Sequence, residues 1–177
     1  MTVKAVGPHA NYQNMRTGVA MTKTAIYAGT FAPITLGHLD IIEQAAELFD
    51  KLYIAVSSYN RQDIPLTQEL RIELIQAATK DLNNIEIITL EGSIAALAKK
   101  LNSEWLVRGL RNAQDLVIEQ SMAAMNKQLN PVLNTIFLQA KPEYQHIQAT
   151  LVRQLMQCQE DVSAFVPAAV SQWYSNR

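Results

Sequence analysis

The sequence predicts a single α/β domain whose centre is a five-stranded, parallel, doubly wound sheet. Five short apolar runs alternate with stretches of helical spacing, and 177 residues suffice for one domain core. The apolar runs are continuous, as expected for strands that are covered on both faces. Hydrophobic residues make up 49% of the chain and charged residues 18%, which is the composition of a globular domain.

The predicted elements follow one another in strand–helix order. The strands, each a short apolar run, cover residues 24–27, 52–56, 85–90, 105–107 and 135–138. The helices, placed by apolar positions three or four residues apart, cover residues 38–49, 68–79, 94–101, 115–128, 150–158 and 168–174. The first helix illustrates the spacing, because Leu39, Ile42 and Ala45 share one face.

Local signals mark the ends of several helices. Thr67 is the predicted N-cap of the second helix, and Thr150 is the N-cap candidate of the fifth. Asn130 and Pro131 end the fourth helix, because proline cannot continue one. Pro167 precedes the last helix. These signals leave residues 1–20, which have no sustained periodicity, as an expected flexible leader before a domain at 21–177.

Composition excludes several classes of function. The net charge of −1 argues against bulk electrostatic binding to nucleic acid or to an anionic membrane. No apolar run approaches the roughly 18 residues that span a bilayer. The single cysteine, Cys158, rules out an intrachain disulfide framework and fits a reducing compartment. We therefore expect a cytoplasmic protein without a nucleic-acid or membrane partner.

Ligands of parallel sheets bind beyond the carboxyl ends of the strands, which directs attention to the loops at 28–37, 57–66, 108–114 and 139–149. In the first loop Gly29 lets backbone approach a phosphate, and Gly37 and His38 lie at a helix start, where N–H groups are free. His38 would point at that anion from the first helical turn. The alternative is that His38 only caps or packs the helix.

Charged side chains follow the fourth predicted strand. Arg108 and Arg111 flank Gly109 in a pattern that suits bidentate phosphate recognition, although exposed arginines are usually just solvated. Asp115 and Glu119 lie four residues apart on one helix face. Solvation at the surface is their default interpretation, and binding of a ribose hydroxyl is the alternative.

Taken together these segments resemble bacterial phosphopantetheine adenylyltransferases, members of the nucleotidyltransferase superfamily with a Rossmann-like sheet. The resemblance covers residues 22–174 and rests on Tyr27-x-Gly29-Thr30-Phe31-x-Pro33-Ile34-Thr35-x-Gly37-His38, Arg108-Gly109-Leu110-Arg111, Glu119, Met125-Asn126 and Ile147-x-x-Thr150-Leu151-Val152-Arg153. The Thr-x-Gly-His element specifies only the superfamily. The Arg-Gly-Leu-Arg element and the last motif are more specific.

The resemblance implies adenylyl transfer from ATP to 4′-phosphopantetheine, with His38 stabilising the transition state. The implied ATP-binding residues are Thr30, Phe31, His38, Gly109, Leu110, Arg111, Glu119, Tyr144, Gln145, His146, Ile147, Gln148, Ala149 and Thr150. The implied acceptor-binding residues are Thr30, Gln62, Ile94 and Arg108. It also implies Mg²⁺ held by ATP phosphates rather than by protein side chains, a homohexamer, and feedback by coenzyme A.

The chain departs from the family pattern at three site positions. Gln62 stands where the family usually has lysine, and Gln148 and Ala149 replace two serines. The chemistry itself needs no general base, because the acceptor phosphate is already an anion at neutral pH. Two alternatives stay open: a nucleotidyltransferase with another acceptor, such as nicotinamide mononucleotide or a sugar or polyol phosphate, and a degenerate paralogue that binds nucleotide or coenzyme A without turnover.

Overall fold

A computed structural model describes residues 22–58 and 66–177, so the predicted leader lies outside the described residues. The strands are β1 (Thr24–Gly29), β2 (Lys51–Ser57), β3 (Ile85–Leu90), β4 (Trp105–Leu110) and β5 (Asn134–Gln139). The helices are α1 (Leu36–Leu48), α2 (Gln68–Ala78), α3 (Ile94–Leu101), α4 (Ala113–Leu129), α5 (Ala149–Gln157) and α6 (Ala168–Ser175). A short 3-10 turn, Pro142–Tyr144, precedes α5.

The described strands form one parallel sheet in the order β3-β2-β1-β4-β5, which confirms the predicted doubly wound α/β fold. The chain builds outward from β1 to β3 and then returns to the other side of β1 with β4. The reversal between β1 and β4 is a topological switch point, where the connections leave a crevice at the carboxyl ends of the strands.

Both faces of the sheet are covered by helices. Ala25 and Tyr27 of β1 pack into a core with α1, α2, α5 and α6, whereas Ile26 and Ala28 pack on the opposite face against α3. Alternate residues therefore enter different cores, which explains why the strand sequences are continuously apolar. Ile42 is completely buried, and its replacement by alanine would cost about 2–5 kcal/mol of folding free energy.

β2 and β5 are each one residue longer at both ends than the sequence predicts, and β1 and β4 extend by two and three residues at their carboxyl ends. The prediction ends the first strand at residue 27 and the fourth at residue 107, but β1 continues to Gly29 and β4 to Leu110. The added residues belong to the strands because they pair with neighbouring strands: Gly29 lies opposite Val56, and Arg108 lies opposite Phe137. Glycine and arginine have little intrinsic strand preference, so only the tertiary pairing reveals them as strand.

The structure confirms the predicted starts of α2, α3 and α6, whereas α1, α4 and α5 begin one or two residues earlier than predicted. Thr67 caps α2 as predicted, because its side chain accepts a hydrogen bond from the Leu70 N–H. The predicted cap at Thr150 is wrong: α5 begins one residue earlier, and its N-cap residue, Gln148, makes no side-chain capping bond. No described helix is long and apolar enough to cross a membrane.

Candidate active site

A cavity of about 460 Å³ opens at the carboxyl ends of β1 and β4, at the switch point of the sheet. Its lining comprises Tyr27, Ala28, Gly29, Thr30, Phe31, Ala32, Thr35, Gly37, His38, Ile41, Arg108, Gly109, Arg111, Ala140, Ile147, Gln148, Ala149, Thr150 and Arg153. Three of the four predicted ligand loops thus contribute to one cavity. The fourth, at 57–66, falls mostly outside the described residues.

A reciprocal capping box starts α1. The Thr35 hydroxyl accepts from the His38 N–H at 3.3 Å, and the Thr35 N–H donates to Nδ1 of the His38 ring at 3.1 Å. Histidine here takes the place that glutamate or glutamine usually occupies in this motif. Because the helix begins at Leu36, two residues before the predicted start, His38 is its third residue and its ring can fold back onto the cap.

This contact fixes the proton of the His38 ring. A backbone N–H can only donate, so Nδ1 must be an acceptor, and the neutral ring carries its proton on Nε2. Burial lowers the pKa of His38 to about 4, and the charges of Arg111 and Arg108 push it the same way. His38 is therefore a neutral Nε2–H donor in the cavity at physiological pH. One ring nitrogen caps the helix, and the ring also lines the cavity, so capping is not the only contact that the ring can make.

The turn after β1 brings an aromatic side chain beneath His38. Phe31 has a positive φ of 49°, which is uncommon for a residue with a bulky side chain. Its buried ring meets the rings of Tyr27 and His38 edge to face, at centroid distances of 5.4 and 5.2 Å. Burial raises the pKa of Tyr27 to about 12, so the phenol stays neutral. The turn thereby packs against the catalytic candidate.

Two arginines of the cavity are held by carboxylates of α4. Arg108 donates to both carboxylate oxygens of Glu119 at 2.6 Å, and its Nη1 donates to the Ala28 carbonyl at 2.8 Å. Arg111 makes two side-chain bonds of 2.9 Å to Asp115, which lower the pKa of that carboxyl group. The default interpretation of both acids as solvated surface groups is therefore wrong.

The N-terminus of α5 supplies a third cation and free N–H groups. Arg153 donates to the Ala32 carbonyl at 2.7 Å and to the Thr150 hydroxyl at 3.2 Å, and it has no carboxylate partner within the described residues. Helix N-termini without a side-chain cap are ready anion sites. Arg153 belongs to the last of the sequence motifs, but no role for it was predicted from the sequence. Its position three residues after Thr150 was the signal, because that spacing places both on one helix face.

Close packing shapes the floor and one wall of the cavity. A Cβ atom at Gly109 would lie 2.8 Å from Cγ1 of Ile41, so glycine allows α1 to approach β4 here. Asp40, almost fully buried in α1, accepts a 3.0 Å bond from the Lys141 N–H and pairs with the Lys141 ammonium at 3.2 Å. This joins α1 to the segment that leads into α5.

Not every residue implied by the resemblance lines this cavity. Leu110, Tyr144, Gln145 and His146 lie outside the lining, and Gln62 falls outside the described residues. Ile94 and Glu119 instead line a second cavity of about 50 Å³ on the α4 side. Arg108 lines both cavities and so lies between them.

Comparison with known proteins identifies the family. A family model described as cytidylyltransferase-like matches residues 26–155. A phosphopantetheine adenylyltransferase of Limosilactobacillus reuteri (strain DSM 20016) is 38% identical over 155 residues, which is 88% of this chain and 90% of the relative. The chain belongs to the phosphopantetheine adenylyltransferase family. A member from Streptococcus sanguinis (strain SK36) is 42% identical over 84% of the chain and 91% of the relative.

Solved structures agree with this membership at the level of the fold. A putative nicotinate-nucleotide adenylyltransferase from Vibrio parahaemolyticus superimposes with a TM-score of 0.69 at 22% identity, covering 88% of this chain and 93% of that one. A bifunctional NMN adenylyltransferase/ADP ribose pyrophosphatase from Francisella tularensis gives 0.69 at 15% identity, over 88% of this chain and 49% of that one. At such identities the likeness shows a shared fold alone.

Proposed function

We propose that this phosphopantetheine adenylyltransferase family member transfers an adenylyl group from ATP to 4′-phosphopantetheine, yielding dephospho-coenzyme A and pyrophosphate. The observation that carries the proposal is the convergence of three arginines, a neutral imidazole donor and two helix N-termini on one cavity. Such a site stabilises phosphate charge and offers no paired acid and base. The phosphopantetheine adenylyltransferases to which the chain is similar supply the identity of the acceptor.

The reaction forms one P–O bond and breaks another. An oxygen of the acceptor phosphate attacks the α-phosphorus of ATP, and the electron pair of the broken bond leaves with pyrophosphate, so no proton must be removed first. The His38 Nε2–H donates to the α-phosphate as charge develops there, a form of stabilisation worth roughly 10²–10³ in rate. Arg111 and Arg153 hold the leaving phosphates, and Arg108 holds the acceptor phosphate.

Magnesium would enter this site on the nucleotide. The described residues contain no group of three His, Cys, Asp or Glu side chains that could hold a metal, and Asp115 and Glu119 are both engaged by arginine. We propose, as the family resemblance implies, that the ATP phosphates hold the metal. Bound there, Mg²⁺ would add charge neutralisation to that of the arginines.

We further propose that the protein assembles as a homohexamer and works in the cytoplasm. We also propose that coenzyme A inhibits it. Helix α4 supports assembly because Val117, Ile118, Met125 and Leu129 are each more than half exposed. Soluble monomers rarely leave so much apolar surface uncovered. Light scattering should give about 119 kDa, six times 19.8 kDa, and M125E should reduce that mass. Coenzyme A should compete with 4′-phosphopantetheine because it contains the same pantetheine unit.

Pyrophosphate release from ATP tests the proposed reaction. The protein is assayed with Mg²⁺ and either 4′-phosphopantetheine, nicotinamide mononucleotide or glycerol 3-phosphate, and the nucleotide product is identified by mass spectrometry. We expect dephospho-coenzyme A from the first acceptor only, and loss of that product in H38A. Faster release with another acceptor would assign a different substrate. Nucleotide binding without release would indicate the degenerate paralogue.

A further inference from the structure

A charged side chain outside the cavity lining contacts the turn that carries Thr30. Arg71 of α2 is 1% exposed, and its Nη1 donates to the Thr30 carbonyl at 2.6 Å. Its Nε also donates to the Thr67 carbonyl at 3.3 Å, which fixes the guanidinium against the first turn of its own helix. Arg71 therefore connects α2 to the turn at Thr30, although the two residues are 41 positions apart in the sequence.

The bond to Thr30 determines how the next peptide group is oriented. The Thr30–Phe31 peptide is trans, since the only cis bond among the described residues joins Ala32 to Pro33. In a trans peptide the carbonyl and the following N–H point in opposite directions. Because the Thr30 carbonyl points at Arg71, the Phe31 N–H points away from the guanidinium. No hydrogen bond within the described residues uses that N–H, and Phe31 lines the cavity.

The hydrogen bond from Arg71 to the Thr30 carbonyl also affects Phe31 and the His38 ring that packs against it. Phe31 is held at a positive φ, a conformation that persists only where its surroundings impose it. Its ring lies edge to face with His38, so a rotated Thr30–Phe31 peptide would also move the support of the imidazole. Arg71 is thus the buried group that restrains both a backbone donor and the packing beneath His38.

Stability alone does not explain a buried arginine here. Arg71 Nη2 is buried and has no hydrogen-bond partner among the described residues. An unpaired buried donor carries a desolvation cost, and apolar side chains of similar volume often serve a core at least as well. The hydrogen-bonded nitrogens of the guanidinium are Nε, which reaches Thr67, and Nη1, which reaches Thr30, and the latter directs attention to the turn.

We infer that Arg71 is a positioning residue for adenylyl transfer: it holds the Thr30–Phe31 peptide so that the Phe31 N–H faces the anion-binding cavity. The inference rests on the proposed function for its kinetic consequence. Its structural consequence, an anion contact at the Phe31 N–H, does not depend on which acceptor is used. The two consequences can therefore be measured separately.

The kinetic test compares R71M, which keeps the length but loses the donors, with R71K and with L74A. Leu74 is buried on the same helix and its side chain cannot form a hydrogen bond to the Thr30 carbonyl, so L74A controls for loss of stability. We expect R71M to lower kcat about 10–100-fold with a smaller change in the KM of ATP, since small misplacements of positioned groups cost that much. R71K should keep more activity than R71M. A folded R71M with kcat within twofold of wild type, or an equal loss in L74A at the same thermal midpoint, would overturn the inference.

The spectroscopic test uses ¹⁵N-phenylalanine, which labels four amides in this chain. The Phe31 resonance is assigned with F31L, and inorganic pyrophosphate with Mg²⁺ is the probe. We expect pyrophosphate to shift this resonance in wild type, and R71M to displace it and to abolish the response. A Phe31 amide that is unchanged in R71M refutes the positioning role. If wild type releases no pyrophosphate from ATP but its Phe31 amide still responds, the proposed function fails while the role of Arg71 stands.

Discussion

The N-termini of α1 and α5 face the same cavity but differ in how their first N–H groups are capped. At α1 the Thr35 hydroxyl takes the His38 N–H, and the Phe165 carbonyl takes the Leu36 N–H at 3.0 Å. At α5 no capping side chain is present, and the first N–H groups have no partner within the described residues. At α1 the protein itself bonds most of the first N–H groups and leaves that of Gly37 without a partner among the described residues, whereas at α5 several N–H groups remain open for a ligand.

This difference indicates a division of labour. At the start of α1 the capping bonds orient the His38 ring, which presents a single directed donor, the Nε2–H. The open start of α5 offers several N–H groups together with Arg153, which suits a ligand with many oxygens. We therefore expect changes at α1 to lower kcat and changes at α5 to raise the KM of ATP.

The largest effect should follow from H38A. Removing the Nε2–H donor should lower kcat by roughly 10²–10³ and leave the KM of ATP within a few-fold of wild type. H38Q is the matched control, because glutamine can complete the capping box with Thr35 and so restore the helix start without restoring the ring. Steady-state kinetics together with thermal unfolding separate the two roles. A kcat within a few-fold of wild type in H38A would make His38 purely structural.

The next effect concerns the α5 side. R153M should raise the KM of ATP by about 10–100-fold, the value of roughly 1.5–3 kcal/mol for a hydrogen bond to a charged group, and change kcat much less. R153K should recover part of the affinity, because lysine keeps the charge but loses the planar fork. Calorimetric titration with ATP gives the affinity directly. A loss confined to kcat would break the proposed division between the two helix starts.

The His38 ring should titrate far below the usual range. ¹⁵N spectra of the imidazole should show a neutral ring with the proton on Nε2 down to a pH of about 4. R111M should raise this pKa without restoring the ordinary value, since burial is the larger cause. The unfolded chain binds a proton below pH ~6.5 that the folded chain refuses until about 4, so stability is lost as pH falls through this interval. A pKa of His38 near 6.5 in wild type would contradict the neutral-donor mechanism.

The smallest effect should come from Q148S. A serine N-cap should stabilise α5 by about 0.5–1 kcal/mol, which raises the thermal midpoint by roughly 1–4 °C. Because bound ATP would compete for the same N–H groups, the gain should shrink when unfolding is measured with the nucleotide present. Q148A supplies no capping oxygen and serves as the control. An equal gain with and without ATP would show that the nucleotide does not use this helix start.

The sequence predicted the sheet and the loops well, and the hydrogen-bonded partners poorly. Continuous apolar runs identify strands because burial on both faces leaves a direct trace in composition. The pairing of Arg108 with Glu119 left no such trace, since these residues are eleven positions apart and meet only after α4 packs on β4. Arg71 also gives no signal, because an arginine after a helix start is normally exposed.

The ion pairs of Arg108 and Arg111 have a consequence for how fast a ligand arrives. Each guanidinium already faces a carboxylate within 3 Å, so the two pairs contribute little net field at the mouth of the cavity. Charges separated by more than the Debye length, about 8 Å in physiological salt, are largely screened in any case. Arg153, which has no carboxylate partner among the described residues, is then the main charge that attracts ATP, so the association rate of ATP should fall only weakly as ionic strength rises. Nucleotide capture should then slow only slightly when cellular salt rises.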